Sequence, residues 1–262
     1  MPKYNKCLSL FLLSVLIVIT ACNKQENLPL RIATAANMQF AMEALVDDFE
    51  KKTEISCEII TGSSGKLTAQ IKAGAPYDIF ASADMEYPNE LSKNGLTTDA
   101  PKVYAYGTLV LWTTEKTDSL SVSYLNSDRV KHIAVADEKL APYGAAAMQY
   151  LEATGMKERL KDKFVFAQSI SGVNQYITSK TAEAGFTAKS VVVSPEMKAT
   201  GCWIAIPQTY YDPIAQGAVL LKQNEASKKS VNNAKQFYNY LFSDKAQIIL
   251  NQYGYYTKKD KA

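Results

Sequence analysis

Apolar residues fall along this chain in two kinds of block, and the alternation between them predicts an α/β architecture. Leu30–Ala35, Ile133–Ala136, Phe164–Ala167 and Ala184–Ala188 are short, continuous, β-favouring runs, as expected of strands buried on both faces. Between such runs apolar positions recur at helical spacing. Met38, Met42, Leu45 and Phe49 predict a helix over 37–52. Strands over 55–61 and 78–82 bracket a helix that carries Leu67 and Ile71 and that Gly74-Ala75-Pro76 stops. Further helices are expected over 145–153 and 173–180, and Phe237, Tyr240 and Leu241 mark a closing one. Strands alternating with helices over the whole chain argue for layered, mainly parallel sheets. Two longer β-rich runs, 104–113 and 214–222, suit strands where the chain leaves one lobe and later returns.

The first 22 residues break this pattern. Lys3 and Lys6 precede an apolar run over 8–19 that is well short of the roughly 20 residues a bilayer span needs. The run ends in small residues before a cysteine. Ile19-Thr20-Ala21-Cys22 resembles the lipobox of bacterial lipoproteins, in which the cysteine sulfur is acylated and becomes the mature N-terminus. The resemblance implies a signal peptide over 1–21, a lipid-bearing tether over 22–28, and a membrane-anchored location in the cell envelope, facing the periplasm or exterior.

Charge adds an exclusion. Without Lys3 and Lys6 the chain has 27 Lys+Arg against 26 Asp+Glu, a net charge of +1. That balance argues against nucleic-acid binding, which favours a clear basic excess. Cys57 and Cys202, distant in sequence and flanked by apolar residues, are expected as buried thiols rather than a disulfide. No Cys/His cluster has metal-ligand spacing, so no directly coordinated cation is expected. His132, the single histidine, reads as an ordinary surface residue.

The candidate chemistry lies where small polar residues meet helix starts. Asn37 precedes the first helix and Ser63-Ser64-Gly65 the second; Pro142-Tyr143-Gly144 opens a third and Ser169-Ile170-Ser171 a fourth. A helix N-terminus presents unpaired backbone N–H groups and a positive dipole end, which suit an anion. Each residue alone reads equally as a cap of its own helix. Four such ends, two in each half of the chain, suggest a shared oxyanion site if they converge.

At these junctions the chain resembles the periplasmic molybdate-binding proteins, receptors of ABC importers. The resemblance rests on Ala33-Thr34-Ala35-Ala36-Asn37, Gly62-Ser63-Ser64-Gly65-Lys66-Leu67, and the run from Ala69 to Pro76. It extends through Asp78-Ile79-Phe80-Ala81-Ser82-Ala83-Asp84, Ala141-Pro142-Tyr143-Gly144, Ala184-Gly185-Phe186-Thr187-Ala188 and Tyr210-Tyr211-Asp212-Pro213-Ile214. It implies a two-lobed α/β fold closing on a molybdate or tungstate oxyanion, with lobes over 29–115 plus 208–262 and over 116–207. It further implies an ABC transporter permease as partner, a monomer, no cofactor and no enzymatic activity. Carried over by position, the ligand residues are Asn37, through its side-chain amide and backbone N–H; Ser64, through its hydroxyl and N–H; and Tyr143 and Ile170, through the main chain. Two positions depart from the family pattern. Ala188 stands where some members have a tyrosine ligand, and Ala36 where some have threonine, so each has at most a backbone donor to give.

Rival readings remain open in the sequence. Sulfate matches molybdate in charge and shape but is smaller. A secreted hydrolase built on Ser63 or Ser64 lacks a Gly-x-Ser-x-Gly elbow and has only His132 as a base. Lys66 after Gly65 hints at a phosphate loop, but Ile60 and Leu67 stand where glycine and a hydroxyl residue are required.

Overall fold

The computed structural model describes residues 28–117, 120–222 and 228–257; Cys22 and the signal-peptide expectation lie outside the described residues. The strands in chain order are β1 (Leu30–Ala35), β2 (Cys57–Gly62), β3 (Ile79–Ala81), β4 (Lys102–Gly107), β5 (Leu109–Thr113), β6 (Ile133–Ala136), β7 (Phe164–Ala167), β8 (Ala184–Ala188), β9 (Cys202–Ala205) and β10 (Ile214–Leu220). The helices in the first half are α1 (Gln39–Thr53), α2 (Ser64–Lys72) and α3 (Glu86–Lys93). Then come α4 (Pro142–Ala153), α5 (Met156–Leu160), α6 (Ile170–Thr178), α7 (Lys189–Val192), α8 (Lys228–Leu241) and α9 (Asp244–Gln252).

Among the described residues the strands form two five-stranded sheets, ordered β2-β1-β3-β10-β4 and β7-β6-β8-β5-β9. The two are built alike: three parallel strands, then one strand antiparallel to both of its neighbours. Four strands of each sheet therefore run the same way, although half of the pairings are antiparallel. The mixed character comes from β5 and β10, the strands that follow the crossovers.

Alternation along β1 explains the two-faced burial of the first sheet. Ile32 joins Met42, Leu45, Phe237 and Leu250 on one face, and Ala33 joins Leu67, Ile71, Phe80 and Leu91 on the other. Helices thus cover both faces, which is why β1 reads as a continuous apolar run. In α1, Met42, Leu45, Val46 and Phe49 supply the buried stripe. The second sheet lies in a core of its own that includes Trp112, Val135, Leu151 and Phe186.

The apolar run over 104–113 is two strands. Its first half is the edge strand β4, and its second half, β5, pairs with β8 and β9 in the other sheet. The first crossover is therefore at Thr108. Residues 109–113, expected in the first lobe, go with the second. The chain returns between Ala205 and Ile214, and Ile214 pairs with Gly107, which sets the outgoing and returning segments side by side. Two helices start earlier than their apolar spacing predicts. Proline at the first position opens α4 at Pro142, and the Ser169 cap opens α6 at Ile170.

Cys57 and Cys202 are free thiols, and they are half-buried rather than fully buried because β2 and β9 are the edges of different sheets. Burial still pushes the Cys57 thiol up to about 12, with the neighbouring carboxylates of Glu50 and Asp78 adding to the effect. Among the described residues no helix is long and apolar enough to cross a membrane.

Candidate functional site

Parallel strands deliver their following helices to one edge of a sheet, so β1, β2, β6 and β7 all end where a helix begins. The two sheets turn these edges toward each other. Four helix starts meet there: the 3-10 turn Ala36–Met38 leading into α1, Ser64 of α2, Pro142 of α4 and Ile170 of α6. They enclose a cavity of about 10 Å³ lined by Ala36, Asn37, Ser63, Ser64 and Ala83 from one lobe and Pro142, Tyr143 and Ile170 from the other. All four residues singled out in the sequence lie on it. A space of this size is on the scale of a single water, roughly 10–15 Å³, and far below the roughly 300–1,000 Å³ of organic-ligand pockets.

A larger hollow of about 490 Å³ is lined by β4, α9 and Phe242, all from one lobe, and gathers no such set of helix ends. The lobes meet around the small cavity. Gly65 N–H donates to Leu140 O at 2.9 Å, and the Tyr87 hydroxyl donates to Lys139 O at 2.8 Å, each bond joining one lobe to the other.

The two serines divide their work. Ser63 caps α2, its hydroxyl oxygen accepting from Lys66 N–H at 3.4 Å. Ser64 is 1% exposed, and its oxygen accepts from Ala83 N–H at 3.0 Å, which leaves its hydroxyl proton to donate. Lys66 itself is exposed and is not part of the cavity wall.

Asn37 departs from expectation. Its Nδ2 donates to Gln216 Oε1 at 2.9 Å and to the Tyr255 hydroxyl at 2.8 Å. The side-chain amide expected as a ligand donor is already engaged within the protein. The backbone N–H of Asn37, in a first helical turn without an intrahelical acceptor, is what this residue has left to offer. Tyr143 lines the cavity at the start of α4. Its phenol oxygen abuts the Gly107 backbone and forms no hydrogen bond of good geometry, and burial holds its pKa well above the ordinary phenol value. Of the two alanines at family ligand positions, Ala36 lines the cavity, whereas Ala188 ends β8 opposite Leu109.

Asp84 directly follows Ala83 of the cavity wall. Its Oδ1 accepts from Tyr87 N–H at 3.3 Å and from the Ser82 hydroxyl at 3.1 Å. Burial outweighs these bonds and pushes the carboxyl up to about 6. The folded chain keeps this proton to about pH 6, whereas the unfolded chain loses it near 4. This group therefore favours folding increasingly as pH falls from 7 toward 4, and that contribution disappears as pH rises through 6. In Asp84→Asn the gain in melting temperature between pH 7 and pH 5 should be smaller than in the parent. Parallel pH profiles would show that Asp84 does not titrate in this window.

Ser63 and Ser64 have no histidine to activate them. His132 stands immediately before β6, at the end of that strand remote from the cavity, with Nδ1 4.0 Å from Glu183. Sequence reasoning missed Ala83, Ser190, Gln216 and Tyr255. A signal existed for Gln216, a fully buried amide within the apolar run of β10.

Residues 30–256 match the family described as bacterial extracellular solute-binding protein. A molybdate-binding protein ModA of Azotobacter vinelandii is 35% identical over 257 residues, covering 94% of this chain and 98% of that protein. The ModA of Rhodobacter capsulatus is 34% identical over 227 residues, 86% of this chain and 87% of its own. In structure, the Azotobacter vinelandii periplasmic molybdate-binding protein superposes with a TM-score of 0.81 at 33% identity, covering 87% of this chain and 99% of that one.

Proposed function

Because the chain belongs to the bacterial extracellular solute-binding protein family, we propose that it captures molybdate outside the cytoplasm and delivers it to the permease of an ABC importer. Tungstate, tetrahedral and doubly charged like molybdate, is accepted too. The observation that carries the reading is the meeting of four helix N-termini from two lobes around a cavity with no charged side chain in its wall. Backbone N–H groups and the Ser64 hydroxyl there can neutralise an oxyanion by hydrogen bonding alone, and each bond to a charged ligand contributes roughly 1.5–3 kcal/mol. Identity to relatives named for molybdate supports that ion over sulfate.

The test is thermal. Ligand held by the native state adds about 2.7 kcal/mol of stability at a hundredfold excess over Kd. Molybdate should therefore raise the melting temperature clearly and sulfate much less; equal shifts would remove the assignment. Two substitutions discriminate the mechanism. Tyr143→Phe should bind molybdate nearly as the parent does, because the donor invoked there is the main chain and the phenol oxygen lies against the Gly107 backbone. Lys66→Ala should be equally mild. A collapse of affinity in Lys66→Ala would mean that a lysine holds the anion.

The protein is tethered through lipid on Cys22, a reading supported by the Ile19-Thr20-Ala21-Cys22 sequence. Cys22→Ser should release the chain into the soluble fraction or leave its precursor unprocessed. Normal cleavage with retained membrane binding would refute the tether.

A further inference from the structure

Behind the cavity three polar groups close a ring. Asn37 Nδ2 donates to the Tyr255 hydroxyl oxygen at 2.8 Å, the Tyr255 hydroxyl donates to Ser190 Oγ at 3.0 Å, and the Ser190 hydroxyl donates to Asn37 O at 2.7 Å. The Tyr255 hydroxyl also stands 3.0 Å from Asn37 O, so its one proton is shared between that carbonyl and Ser190 Oγ, and both hydroxyls reach the same carbonyl. All three residues are nearly inaccessible to water: Asn37 is 2% exposed, and Ser190 and Tyr255 are 3% exposed. In such surroundings a complete polar network is rigid and a broken one is costly.

The ring also spans the lobes. Tyr255 packs in the core of the first sheet, and Ser190 lies on α7, directly after β8 of the second. Gln216 of β10 takes the other amide proton of Asn37 at 2.9 Å and donates to Ala83 O at 3.3 Å, which ties the ring to a second residue of the cavity wall. Asn37 is thereby held at both its amide and its carbonyl, on either side of the backbone that faces the cavity.

We propose that Tyr255 and Ser190 are positioning residues: they fix the first turn of α1 and make its alignment at the anion site depend on the two lobes being together. The proposal rests on the oxyanion-binding reading above. Neither side chain lines the cavity, so each acts through Asn37 rather than on the ligand. Loss of either hydroxyl removes the Tyr255–Ser190 bond that joins the two holds on Asn37. The loss falls mainly on the off-rate, because the ring holds the assembled site rather than guiding the ion toward it.

The experiment measures molybdate affinity by calorimetry, and release by stopped-flow fluorescence, for the full chain and for Tyr255→Phe, Ser190→Ala and the double variant. Tyr104→Phe, which removes another buried phenol hydroxyl from the same core, is the control. Each single variant should bind roughly tenfold more weakly through faster release. The double variant should lose less than the product of the two single losses, because the Tyr255–Ser190 bond is already gone in each single variant, and Tyr104→Phe should bind as the parent does. Parental affinity and release in Tyr255→Phe and Ser190→Ala, with the parent binding well, would overturn the positioning role alone. So would single losses that multiply in the double variant, or an equal loss in Tyr104→Phe. A parent that binds no molybdate would overturn the functional reading and this inference with it.

Discussion

Replacing Ser64 with alanine is expected to weaken molybdate binding by roughly ten- to a hundredfold, because one hydrogen bond to a charged ligand is worth about 1.5–3 kcal/mol. The geometry of the site sharpens this expectation. The hydroxyl oxygen of Ser64 already accepts from Ala83 N–H, so its proton is left to donate, and Ser64 lines the cavity. Alanine removes that donor and also strands the Ala83 N–H, which lines the same wall. The Ser64 backbone N–H and the helix end of α2 remain, so binding is reduced rather than abolished. Calorimetric titration of parent and variant reads the ratio directly. An affinity within about twofold of the parent, less than 0.5 kcal/mol, would place the anion out of reach of this hydroxyl.

Gly144→Ala is expected to have the largest effect on stability. Gly144 lies in the first turn of α4, and a Cβ there would overlap the Ala136 carbonyl oxygen of β6 and stand 2.8 Å from its carbon. Neither atom belongs to a side chain that can swing aside. Accommodation requires α4 to move off the sheet, carrying with it the Tyr143 backbone that faces the cavity. Overpacking against a fixed backbone costs about 3 kcal/mol, the upper part of the usual range. In a chain of this size that lowers the melting temperature by roughly 6–12 °C. Molybdate affinity should fall as well, since the main-chain donor is displaced. A variant that melts with the parent would contradict this close approach of helix and strand.

The fold was legible where burial is local and repetitive. β1 and α1 could be read directly, because a strand covered on both faces is apolar throughout and its helix shows one apolar stripe. The run over 104–113 was misleading for the same reason. β4 and β5 are both rich in buried residues, and hydropathy does not register that the chain changes sheets at Thr108. α3 gave no apolar period: it is short and polar, and carries Pro88 in its first turn, where proline is tolerated. The positions of the site were legible too, since helix starts leave signatures in sequence. The commitment of the Asn37 amide was not. Its partners Gln216 and Tyr255 lie 179 and 218 residues away, and no spacing rule links them. Position predicted that Asn37 borders the cavity; only tertiary structure reveals that its side chain serves the frame of the site.

Neutral donors at converging helix ends are proposed to hold one oxyanion, molybdate, without a charged side chain. Calorimetric titration of the purified chain with molybdate and, separately, with sulfate tests this most directly. The expected result is one molybdate bound tightly per chain and sulfate bound far more weakly under the same conditions. Equal affinity for the two ions, or no binding of molybdate, would contradict it.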